Sequence, residues 1–119
     1  MKKILLVNGN ETTHHLLTAI IGQEATIIFA HSLEEAEKIV SNNADLDAIF
    51  TEIYFGIDFQ VEKVIPHLKT IANVPIFAYT ARCMNREEER AMRAGAEKFL
   101  LMCSNSSSPK VIRDIVAEI

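Results

Sequence analysis

The stretch IFTEIYFG, residues 49–56, runs apolar into Glu52 and reaches a glycine four residues later. An ionised carboxylate in apolar surroundings is costly unless it has a partner. Its position at the mouth of a strand that reads as buried raises the question of what stands at the ends of the other strands. Comparable short apolar runs occur at KILLV (3–7), ATIIFA (25–30), LDAIFT (46–51), VPIFAY (74–79) and KFLLM (98–102), rich in Ile, Val, Leu and Phe. Near-continuous apolarity, without strict alternation, predicts strands covered on both faces.

Segments with helical spacing separate these runs. Leu33, Ala36, Ile39 and Val40 fall on one face, and Ser32 followed by Glu35 predicts a capping box. The last helix is read with Ser108 as N-cap, Pro109 at the first helical position and Val111, Ile112, Ile115, Val116 and Ile119 on its inner stripe. Asn85 opens and Gly95 closes the helix before the fifth strand. Pro66 interrupts the pattern Val61, Val64, Ile65, Leu68, Ile71, so a late start or a kink is expected there. Five β-α units in alternation predict an α/β domain with a parallel sheet and helices on both faces, because parallel neighbours need crossovers. Ligands and chemistry in such sheets collect at the carboxyl ends of the strands. That directs attention to Asn8, Gly9 and Asn10, to Glu52, to Thr80, and to Met102 and Cys103.

A chain of 119 residues, 49% of them hydrophobic, suits one domain spanning 1–119. No run approaches the roughly 20 apolar residues that span a bilayer, and MKKILLVNGN turns polar too soon for a secretory signal, so a cytoplasmic protein without membrane contact is expected. Net charge of −4 argues against a nucleic-acid face. Cys83 and Cys103 match no metal-ligand spacing and are read as free thiols. His14 and His15 have no paired ligand at useful spacing and are read as surface or core-edge histidines, so no metal and no cofactor are expected. The run NREEERAMR reads as a solvated helix face whose acidic first turn suits the helix dipole.

At the strand ends the chain resembles the receiver domain of two-component response regulators, over essentially its whole length. ILLVNGNE is similar to the first strand and its acidic turn, and DAIFTEIYF to the phosphoacceptor strand. VPIFAYTA is similar to the strand with the switch hydroxyl, and RAGAEKFLLM to the segment ending at an essential lysine. The resemblance implies a flavodoxin-like doubly wound sheet of strand order 2-1-3-4-5. It places the Mg²⁺-holding acidic pair on Asn8 and Gly9, the phosphoacceptor on Glu52, the switch positions on Thr80 and Phe99, and the lysine on Met102, with Cys103 where the family has a proline. Only Thr80 and the aromatic Phe99 keep the family's chemistry.

The departures imply lost phosphorylation. Mg²⁺ requires an octahedral set of oxygens, usually including carboxylates. Here Asn8 offers a neutral carbonyl, Gly9 nothing, and Met102 no ammonium, so transfer to Glu52 is expected to be very slow or absent. Glu52 itself is expected to be a partly solvated carboxylate bonded to Thr51, Thr80 or backbone N–H groups. The resulting expectation is a pseudo-receiver in two-component or phosphorelay signalling, not an enzyme. It would act through a protein partner (a signalling kinase, an output protein or a second copy) on the surface of the fourth helix, fifth sheet strand and fifth helix. Two other readings are an unorthodox receiver, still phosphorylated with metal recruited by Glu11 or Asn10 or held active by Glu52 as a phosphomimic, and a small flavodoxin-like ligand binder using the loops NGNE and CSNSSS.

Overall fold

Alternate residues of a strand point to opposite faces of its sheet, and this parity sorts the core of the chain into two layers. A computed structural model describes residues 1–7, 11–55, 58–59, 61–80, 87–101 and 109–119. In chain order the elements are β1 (Lys2–Val7), α1 (Glu11–Ile21), β2 (Ala25–Ala30), α2 (Leu33–Asn42), β3 (Ala48–Glu52), β4 (Tyr54–Phe55), β5 (Asp58–Phe59), α3 (Val61–Ile71), β6 (Ile76–Thr80), α4 (Glu87–Ala94), β7 (Lys98–Leu101) and α5 (Pro109–Glu118). Five strands pair in parallel in the order β2-β1-β3-β6-β7, which is 2-1-3-4-5 when the sheet strands are counted alone. The order implied by the resemblance is therefore observed. The short β4 and β5 form a separate antiparallel pair that was not anticipated, since two residues carry no readable period.

On one face Leu5, Val7, Ile49, Ile76 and Ala78 pack against Ala36 of α2, Val64, Ile65 and Leu68 of α3, and Ala91 of α4. On the other, Ile4, Leu6, Phe50, Phe77 and Tyr79 pack against Leu17 and Ile21 of α1 and Ile112, Ile115 and Val116 of α5. Every residue of β3 and β6 is buried, as expected for central parallel strands. Burying each large apolar side chain there contributes about 1.5–3 kcal/mol.

Several local readings are met. Ser32 adopts extended backbone angles and its side chain accepts from the Glu35 N–H at 3.1 Å, capping α2. Gly95 ends α4 at φ +115°, with its N–H on the Met92 carbonyl and the Ala96 N–H on the Ala91 carbonyl, while Ala91 and Ala96 are both buried. A Cβ at Gly95 would also lie 2.9 Å from Cδ of Lys69, whose ammonium donates to the Gly95 carbonyl at 3.0 Å. The cation thereby meets the carbonyl end of α4, where the helix dipole favours it. Asn85 and Ser108 lie outside the described residues.

Other readings are corrected. Helix α3 begins at Val61 and contains Pro66, so the late start does not occur. Pro66 and Glu62, the residue whose carbonyl loses its donor, are both exposed, and water can serve that carbonyl. The third sheet strand begins at Ala48, later than expected. Leu46 is buried ahead of it, while the Asp47 N–H donates to the Lys3 carbonyl and the Lys3 N–H donates to the Asp47 carboxylate, both at 2.8 Å. Val74 and Pro75 precede β6, where the Pro75 carbonyl accepts from the Ile49 N–H, but its missing N–H keeps it out of the ladder. Val111, assigned to the inner stripe of α5, is 40% exposed. Among the described residues no helix is long and apolar enough to cross a membrane.

Candidate functional site

Glu52 is the last residue of β3, the middle strand of the sheet, and is the one acidic residue at the carboxyl end of a described sheet strand. Strand parity aligns it with Ala48 and Phe50, towards the layer formed by α1 and α5. It is only 7% exposed, so the expectation of a partly solvated carboxylate is corrected. The sheet continues on both sides of it, and this encloses the strand end. Its Oε1 accepts from the Ile53 N–H at 2.9 Å, and the same N–H also donates to the Tyr79 carbonyl of β6 at 3.2 Å. The expected backbone partner is thus the amide of the next residue. The hydroxyl of Thr51 turns instead to the Glu52 backbone carbonyl, at 3.1 Å.

Tyr79 stands opposite Glu52 in the β3–β6 register. Burial pushes its phenol well above the ordinary tyrosine value, and the negative charge of Glu52 adds to the shift. The phenol is therefore neutral throughout the physiological range, and its hydroxyl points to the Val7 carbonyl of β1 at a long 3.5 Å. Tyr79 was not singled out from the sequence; its signal was its place one residue before Thr80, on the opposite parity. Thr80 ends β6, is fully buried, and pairs in register with Leu101 at the end of β7. The structure thus brings Glu52 and Thr80 to the same rim on adjacent strands. Asn8, Gly9 and Met102 directly follow β1 and β7 in the chain but lie outside the described residues, as do Asn10, Cys83, Cys103 and most of the loops proposed for a ligand binder.

Phe99 does not join that rim. It lies within β7 opposite Ala78, partly buried against the layer that holds α3 and α4. With Glu88, Met92, Lys98 and Val111 it lines a groove of about 290 Å³ across α4, β7 and α5. Met92 is 43% exposed, which with Val111 gives this face an apolar centre beside charged residues of both signs.

A five-stranded parallel sheet with this order, and polar groups gathered at the carboxyl ends of its central strands, defines the doubly wound class in which that rim carries function. Within the class, the fold is that of response-regulator receiver domains. A two-component response regulator from Clostridium difficile superposes with a TM-score of 0.81 at 19% identity, covering 99% of this chain and 97% of that one. A Burkholderia pseudomallei response regulator with a phosphorylated aspartic acid and a calcium ion gives 0.75 at 20% identity, covering 99% and 72%. The receiver domain of the Saccharomyces cerevisiae response regulator Ssk1, co-crystallised with the phosphotransfer protein Ypd1, gives 0.69 at 18% identity, covering 85% and 78%. No protein-family model and no curated protein matches the chain.

Proposed function

We propose that this chain is a pseudo-receiver, a signalling module that works through protein contacts and does not undergo Mg²⁺-dependent aspartyl phosphorylation. The observation that carries the reading is Glu52: a glutamate at the end of the middle strand, buried, with one carboxylate oxygen committed to the following amide. Phosphoryl transfer needs an exposed acceptor oxygen in line with the donor and cations that neutralise the equatorial oxygens. Glu52 is recessed, and the residues that follow β1 and β7, Asn8, Gly9 and Met102, bring neither carboxylate nor ammonium. These residues do not fit Mg²⁺, which takes near-ideal octahedral oxygen ligands and is usually anchored by carboxylates. No step through the metal follows.

Output then falls to the face across α4, β7 and α5. Its exposed Met92 and Val111 beside Phe99 supply the apolar centre that protein interfaces need, and Glu88 and Lys98 supply a polar rim. A signalling protein is the expected partner, in keeping with the receiver fold and with the phosphotransfer protein bound by the Ssk1 receiver. Incubation with acetyl phosphate and Mg²⁺, followed by intact mass measurement, tests the chemistry: no added phosphoryl group is expected. A stoichiometric adduct on Glu52 would establish an unorthodox receiver in its place.

A further inference from the structure

The rim of the sheet carries a second cluster, two histidines from different elements. His14 lies in the first turns of α1, is 4% exposed and stacks on Phe29 of β2, with ring centroids 4.3 Å apart and planes inclined by 24°. His31 immediately follows β2 and is exposed. The two imidazole centroids are 5.2 Å apart, with planes inclined by 44°. One ring is thus held by packing, while the other reaches it from the solvent side.

We infer that His14 and His31 form a reversible binding site for a nitrogen-seeking divalent transition ion such as Zn²⁺. Two imidazoles that bind one tetrahedral ion at about 2.0–2.1 Å have ring centroids about 5 Å apart, which is the separation present here. Zn²⁺, Ni²⁺ and Cu²⁺ accept imidazole readily, whereas Mg²⁺ and Ca²⁺ demand oxygen and would pass the site by. Each imidazole has two nitrogens, so His14 can ligate through one while the other takes a hydrogen bond that orients the ring. Among the described residues no third His, Cys, Asp or Glu joins the pair; a two-imidazole site completed by water would exchange its ion freely. His15, next along the helix, points to a different face and is no part of the site.

Position gives the site a consequence for the rim. Ala30, just before His31, pairs with Val7, the last residue of β1, and His14 sits one turn into the helix that follows β1. An ion bound by both would tie the start of α1 to the end of β2. Val7 also pairs with Thr51, the residue before Glu52, so the tied ends belong to the rim that holds Glu52.

Titration of the full chain with ZnCl₂, followed by long-range ¹H–¹⁵N spectra of the imidazoles, tests the assignment. Saturation at one ion per chain is expected at sub-millimolar Zn²⁺, with the His14 and His31 rings shifting and those of His15 and His67 unmoved. His31→Ala changes an exposed side chain and should fold normally, while weakening Zn²⁺ affinity by at least about tenfold; His15→Ala should bind as the parent does. The inference is overturned if no saturation occurs, if His31→Ala binds Zn²⁺ as tightly as the parent, or if binding disappears on replacing Cys83 and Cys103 with serine.

Discussion

The carboxyl ends of β3 and β6 and the face across α4, β7 and α5 are built from the same sheet yet treat solvent in opposite ways. At the first, Glu52 is 7% exposed and Thr80 is fully buried. At the second, Met92 and Val111 are 43% and 40% exposed. A rim that transfers phosphate has to present its acceptor to donor and metal, while a docking face has to leave apolar area uncovered. Among the described residues the rim conceals its polar groups and the face leaves apolar ones exposed, the contrast on which the proposed protein-binding role rests.

The sharpest way to break this contrast is to restore the rim. Asn8→Asp, Gly9→Asp, Glu52→Asp and Met102→Lys together should yield a protein that takes up one phosphoryl group from acetyl phosphate with Mg²⁺, where the parent takes up none. The four act on one phosphoryl group, so single replacements are expected to show little. If the combined variant folds and binds Mg²⁺ but gains no mass, the placement of Glu52 or Met102 is wrong.

Attacking the other region should have the next largest effect. Met92→Asp with Val111→Asp puts charge into the apolar centre of the groove and should weaken binding to the protein partner tenfold or more, about 1.4 kcal/mol. Both side chains are well exposed, so the melting temperature should hardly move. Unchanged affinity would shift the docking surface elsewhere.

Glu52→Gln keeps an oxygen for the Ile53 N–H while removing the charge, so stability should change by no more than about 1 kcal/mol and partner affinity should be unaltered. A tenfold loss of affinity would mark the Glu52 charge as a phosphomimic that holds the docking face active.

Two smaller effects follow from titration. Tyr79 is raised in the folded state, chiefly by burial, so the stability it contributes is complete below its unfolded value near pH 10 and is lost as pH rises above it. Tyr79→Phe should remove that component of alkaline unfolding, as followed by denaturant midpoints between pH 9 and 11 or so. Glu62 of α3 is lowered chiefly by its hydrogen bond to Arg90 of α4, so its contribution is present above its unfolded value and is lost as pH falls through the folded one. Both side chains are half exposed, so solvent screening makes this the smallest effect. Arg90→Ala should flatten the acid limb only slightly.

The sequence by itself determined the local elements and their class. Five apolar runs, the Ser32 cap, the Gly95 stop and the alternation of strand and helix each rest on interactions within a few residues, where period and side-chain chemistry speak directly. It also located Glu52 and Thr80 at strand ends, because a polar residue closing an apolar run is visible without a fold. Tertiary structure decided how deep each residue lies and what it meets. Val111 obeys the helical period of α5 but faces outward, since a period gives an angle around a helix and not the edge of the neighbour that covers it. Glu52 is enclosed because strands pair on both sides of β3, and Tyr79 became its neighbour through the register of β6. His14 and His31 are 17 positions apart, and no spacing rule joins them. The parallel pairing of β1 with β2 returns the chain to the same rim, and that long-range geometry brings their two rings together.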